Sequence, residues 1–124
     1  MRQVSLILIC EPNDDTYALL ELVVRRLGHE PLRCDGLLEE SVLSELRSGM
    51  ALIEPGMPGA FAVAERLHHE GVPLVFASIF PPDEDTVRLE PFAHLAKPFP
   101  LQLLQRALAD ALSQPGRPSI VPPG

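Results

Sequence analysis

A chain of 124 residues with 17 acidic and 10 basic side chains has room for a single hydrophobic core and carries a formal net charge of −7. That charge argues against direct nucleic-acid binding, which needs a basic footprint to displace phosphate counterions. The longest apolar runs, such as Val4 to Cys10, fall far short of a membrane span.

Val4 to Cys10 is nearly continuous in apolar, partly β-branched residues, the pattern of a strand covered on both faces. The N-terminus leads straight into this run, which lacks a small-residue cleavage site, so no signal peptide is read and a cytoplasmic location is expected. Asp14, Asp15 and Thr16 then offer N-cap chemistry. Leu20, Val23, Val24 and Leu27 follow at helical spacing, and Gly28 marks the stop. Pro31 to Cys34 reads as a short strand, and Leu37 to Arg47 as an amphipathic helix with Leu38, Val42, Leu43 and Leu46 on one face.

Met50 to Ile53 is a third strand, ended by the loop Glu54-Pro55-Gly56-Met57-Pro58-Gly59. Phe61, Val63 and Leu67 place a helix between Gly59 and Gly71, and Val72 to Ala77 forms a fourth strand with a proline near its start. Pro81, Pro82 and a run of acids leave room only for a short helix over Glu84 to Leu89. Phe92 to Ala96 is a fifth, weaker strand. Pro100 opens a last helix striped by Leu104, Leu108 and Leu112. Residues 1–113 are thus expected to form one domain, with 114–124 a Pro-rich, extended or disordered linker.

Strands alternating with helices predict a (βα)₅ parallel sheet with helices on both faces. Ligands of such sheets sit beyond the carboxyl ends of the strands, where this sequence delivers Glu11, Glu54, Ser78 and Lys97. Two carboxylates, a hydroxyl and an ammonium make a sensible anion-and-metal site; the plainer reading is that loops are polar. His68 and His69 are adjacent on a helix, do not face one another, and read as solvent-facing. Cys10 and Cys34 end strand-like segments and read as buried free thiols. A disulfide between them requires the two strands to be neighbours, and a reducing compartment opposes it.

Glu54-x-x-Met57-Pro58-Gly59, Val72-Pro73 leading to Ser78, and Ala96-Lys97-Pro98-Phe99 together resemble the response-regulator receiver domain of bacterial two-component systems. So does Ile7 to Glu11 followed by a helix ending Leu27-Gly28-His29, and the resemblance runs from about Ser5 to Leu112. It implies a flavodoxin-like fold with strand order 2-1-3-4-5, helix 4 short or irregular here, and a cis peptide before Pro98. In that family two acids after strand 1 and an Asp after strand 3 hold Mg²⁺, the strand-3 Asp accepts phosphate from a histidine kinase, and a Ser or Thr and a Lys hold the phosphoryl oxygens.

Carried over by position, Lys97 and Ser78 match their roles and Glu11 matches the first acid. The second acid falls on Pro12, which offers no ligand, and the phospho-acceptor falls on Glu54, whose carboxylate reaches about 1.5 Å further. The position of the switch aromatic is His94, expected to be an ordinary half-buried histidine, and the segment from Ser78 to Lys97 is shorter than usual. With one ligand lost and another lengthened, Mg²⁺ at Glu11 and Glu54 is expected to bind weakly or not at all, and no other cofactor is expected.

The expectation is therefore a pseudo-receiver, not an enzyme, acting by phosphorylation-independent protein–protein interaction with Glu54 paired to Lys97. Its partner would be another protein, or a second copy across the helix 4–strand 5–helix 5 face, with no nucleic acid or membrane. The alternative is a receiver that a histidine kinase still phosphorylates. An unrelated nucleotide- or flavin-binding domain is disfavoured, because Glu11-Pro12-Asn13-Asp14 stands where a glycine-rich phosphate loop would be.

Overall fold

The computed structural model describes residues 4–35 and 38–113. Leu37 and the expected tail over 114–124 lie outside them. Five strands, β1 (Leu6–Cys10), β2 (Glu30–Arg33), β3 (Met50–Ile53), β4 (Leu74–Ser78) and β5 (Ala93–Ala96), form one parallel sheet in the order β2-β1-β3-β4-β5. Between them run α1 (Asp14–Arg26), α2 (Glu40–Leu46), α3 (Ala60–His69) and α4 (Glu84–Arg88), with α5 (Leu101–Leu112) last. This is the flavodoxin-like order that the family resemblance implied.

The two-residue alternation of a strand divides the core. Ile7, Ile9, Leu52 and Val75 point to the face covered by α1 and α5, where they meet Leu20, Val24, Leu104 and Leu108. Leu8, Ile53 and Phe76 point to the other face, against Leu43, Leu46, Val63 and Leu67 of α2 and α3. Each side chain buried in this way contributes about 1.5–3 kcal/mol relative to exposure. Central strands covered on both faces explain the unbroken apolar runs. The edge strands β2 and β5 are only partly buried, hence their weaker signals.

The helix starts depart from expectation in two places. Asn13, not Asp14, Asp15 or Thr16, caps α1: its Oδ1 accepts from the Thr16 N–H at 2.8 Å, while Asp14 and Asp15 lie in the first turn, where their charge suits the helix dipole. The second helix begins at Glu40 rather than Leu37, with no side chain capping its first turn. The expected short α4 is present, closed by a capping box in which Asp83 and Thr86 bond each other's backbone N–H. At the end of α1, Gly28 takes φ 87°, which lets its N–H and that of His29 bond the carbonyls of Arg25 and Val24. Among the described residues no helix is long and apolar enough to cross a membrane.

Candidate functional site

Because all five strands run the same way, their carboxyl ends share one edge, and the residue just past each end is placed by the ladder. Glu11 follows β1 and is 3% exposed, with its Oε2 accepting from the Asn13 N–H at 3.1 Å. Glu54 follows β3; its backbone N–H donates to the Cys10 carbonyl at 2.8 Å and its Oε2 accepts from the Gly56 N–H at 3.1 Å. Lys97 follows β5, and its backbone N–H donates to the Ser78 carbonyl at 2.9 Å. The Lys97–Pro98 peptide is cis, as the resemblance implied.

These backbones aim three charges at one point. Lys97 Nζ donates to Glu11 Oε1 at 2.7 Å and to Glu54 Oε1 at 2.9 Å. Every one of the four carboxylate oxygens thus accepts a hydrogen bond from within the chain. Burial works to lower the Lys97 pKa, but the hydrogen bonds and charges of Glu11 and Glu54 outweigh it and hold the ammonium above its ordinary value. The ammonium stays protonated, and the pairing foreseen between Glu54 and Lys97 is present.

Ser78, the last residue of β4, is buried, but its hydroxyl oxygen accepts from the Phe80 N–H at 3.1 Å and makes no bond to Glu54. His94 lies on β5 with Nε2 3.3 Å from the Phe80 carbonyl and its ring 6.0 Å from that of Phe76; Nδ1 is buried without a partner. It is half-buried, as expected. Ser78, His94 and Phe80 border a cavity of about 320 Å³ under the loop that joins β4 to α4. His69 is exposed but His68 is half-buried rather than solvent-facing, and among the described residues no cluster of three His, Cys, Asp or Glu could hold a metal.

The donors suit Mg²⁺ poorly. It demands near-octahedral oxygen ligands, Pro12 supplies none, and one oxygen of each carboxylate is already taken by the shared Lys97 ammonium. Asp14 does not fill the gap, since it is 88% exposed and paired with Arg33 at 2.8 Å.

Arg33 is the residue that sequence reasoning missed. It ends β2, donates to the Glu11 carbonyl at 3.1 Å as well as to Asp14, and lies 4.5 Å over the Tyr17 ring. The rule that located the other four takes the residue just past a strand, and after the expected strand Pro31 to Cys34 it passes over Arg33, which lies inside the strand.

No protein-family model and no curated protein matches the chain. Solved structures do. The signal receiver domain of a modulated diguanylate cyclase from Desulfovibrio desulfuricans G20 is 27% identical, with TM-score 0.71 over 89% of this chain and 94% of that one. A putative response regulator from Chloroflexus aurantiacus J-10-fl is 21% identical, with TM-score 0.71 over 90% and 100%. The receiver domain of a sensor histidine kinase from Pseudomonas aeruginosa PAO1, solved with a magnesium ion in its active-site cleft, is 21% identical, with TM-score 0.67 over 89% and 98%.

Proposed function

We propose that this chain is a receiver-type domain of two-component signalling that works as a pseudo-receiver, a module that meets its protein partner without being phosphorylated. The observation that carries the reading is the Lys97 ammonium bound between Glu11 and Glu54, with every oxygen of both carboxylates already engaged. Phosphoryl transfer needs a nucleophile free to attack and cations free to neutralise the incoming charge. Here the acceptor position carries an overlong carboxylate clamped on both oxygens, and the cation is spent on it. Lys97 stands in for the metal that receivers such as the Pseudomonas domain hold, so Glu54 has no role as a nucleophile and the chain is not an enzyme.

The proposed partner is a protein, or a second copy, meeting the side formed by α4, β5 and α5, where Val87 and Leu103 are exposed apolar residues. A cytoplasmic location goes with this reading. The competing reading, phosphorylation of Glu54 by a histidine kinase, draws support from Ser78 and Lys97 standing at the family's phosphoryl-holding positions.

Incubation with Mg²⁺ and acetyl phosphate or beryllofluoride separates the two. The expected result is an unchanged intact mass and no fluoride-dependent NMR shifts around Ser78 and Lys97; a stable phosphoryl adduct overturns the proposal. The double variant Pro12→Asp/Glu54→Asp is expected to gain Mg²⁺ binding by calorimetric titration. Undetectable metal binding would show that the site has been assigned to the wrong residues.

A further inference from the structure

Cys10 ends β1 and Cys34 directly follows β2, and the parallel register that sets Ile9 beside Arg33 brings the two cysteines side by side. The Cys34 N–H donates to the Ile9 carbonyl at 2.9 Å, so the ladder continues up to the pair. Both side chains belong to the α2–α3 face of the core, 0% and 4% exposed, and neither is in a disulfide. The thiols hydrogen-bond each other. Neighbouring strands lie about 4.8 Å apart, within the Cα–Cα span of about 4.4–6.8 Å that a disulfide bridges.

We propose that Cys10 and Cys34 are an oxidisable dithiol, a disulfide-forming site that fastens β2 to β1 beside the Glu11–Glu54–Lys97 cluster. The oxidant class is a small peroxide. The Cys34 sulfur attacks one peroxide oxygen, the O–O bond breaks, and the other oxygen leaves as water with the thiol proton. The Cys10 sulfur then displaces hydroxide from the resulting sulfenic acid, the S–S bond forms, and hydroxide takes the Cys10 proton as a second water. The two sulfurs lose two electrons in all, and the peroxide gains them.

Cys34 reacts first because it is the more exposed and lies beside an edge strand, held by the ladder on one side only. The hydrogen bond with Cys34, and then burial, push the Cys10 thiol up, so this sulfur serves as the resolving partner rather than the first nucleophile. The cross-link would lie one residue from two site groups. Arg33 holds the Glu11 carbonyl, and the Cys10 carbonyl accepts from the Glu54 N–H.

The test is to treat the native chain with hydrogen peroxide, denature it, block with iodoacetamide and measure the intact mass. The expected product is a monomer lighter by two hydrogens and closed to alkylation. Its non-reduced tryptic digest joins the peptide ending at Arg25 to the one beginning at Cys34, and dithiothreitol reverses the change. The amide resonances of Glu11, Arg33 and Glu54 are expected to move with the oxidation, and Cys10→Ala or Cys34→Ala to abolish the intramolecular link. Two alkylatable thiols after peroxide, sulfinic acid as the main product, or disulfides only between chains would each overturn the proposal, and the wild-type chain alone is enough to decide.

Discussion

Lys97 stands between two carboxylates that would otherwise crowd each other at a dry strand edge. Glu11 is almost wholly buried, so removing the ammonium leaves charges with little water to screen them. Lys97→Met, which keeps most of the stem, is expected to lower unfolding free energy by about 3 kcal/mol in urea titration. Glu54→Gln, which spares one acceptor oxygen, should do less harm. The pH dependence follows from the raised Lys97 pKa. A folded value above the unfolded one means that the contribution is complete below about pH 10 and fades as pH climbs through the folded value. The stability gap between wild type and Lys97→Met is therefore expected to stay constant from neutral pH to about pH 10 and to shrink above it. A gap that closes below pH 9 would contradict the assignment. The three charges were legible because each sits immediately past an apolar run. The clamping of their second oxygens was not, since it comes from the backbone N–H groups of Asn13 and Gly56, which carry no side-chain signature.

At the scale of elements, what read most easily was what packing dictates. The runs of β1 and β3 and the leucine stripe of α5 are apolar because they are covered, and their positions were found within a residue or two. Helix starts were harder, because Asn13, Asp14 and Asp15 all have capping chemistry and only the backbone turn decides which one is used. The short α4 has five residues and one fully buried side chain, Thr86, so its capping box is its main local support. Asp83 holds its carboxyl below the usual range because it accepts first from the Thr86 N–H. A depressed folded value means that this support is present above the ordinary Asp pKa and is lost as pH falls through the folded one. Asp83→Ala is expected to speed amide exchange over residues 84–89 at neutral pH while leaving α1 and α3 unchanged. Wild type should approach the same behaviour as pH falls below the ordinary Asp range and through the depressed folded value. Unchanged exchange in the variant would show that the loop and Thr86 packing suffice without the cap.

For the whole molecule, strand order was available only through the family likeness, since alternating strands and helices fit several orders and a local pattern does not say which strand lies beside which. What the order requires locally can nonetheless be found in the structure. Gly49 lies just before β3, opposite Leu6, in the register that pairs Ile7 with Met50. A Cβ built there collides with the Leu6 carbonyl oxygen, a backbone atom that cannot rotate aside. Adding one methyl would force β1 and β3 apart at the centre of the sheet, where they carry the inner layer of both cores. Gly49→Ala is therefore expected to cost about 3 kcal/mol, at the upper end for overpacking because the obstacle is main chain. Gly56→Ala is the control: its Cβ would meet only Glu54 Oε2, at 3.4 Å, an ordinary contact with a side-chain atom, so a change within about 0.5 kcal/mol is expected. Urea unfolding of the two variants against wild type decides the matter. If Gly49→Ala is as stable as Gly56→Ala, the close approach of β1 and β3 is not what holds that end of the sheet, and the register drawn from it loses its support.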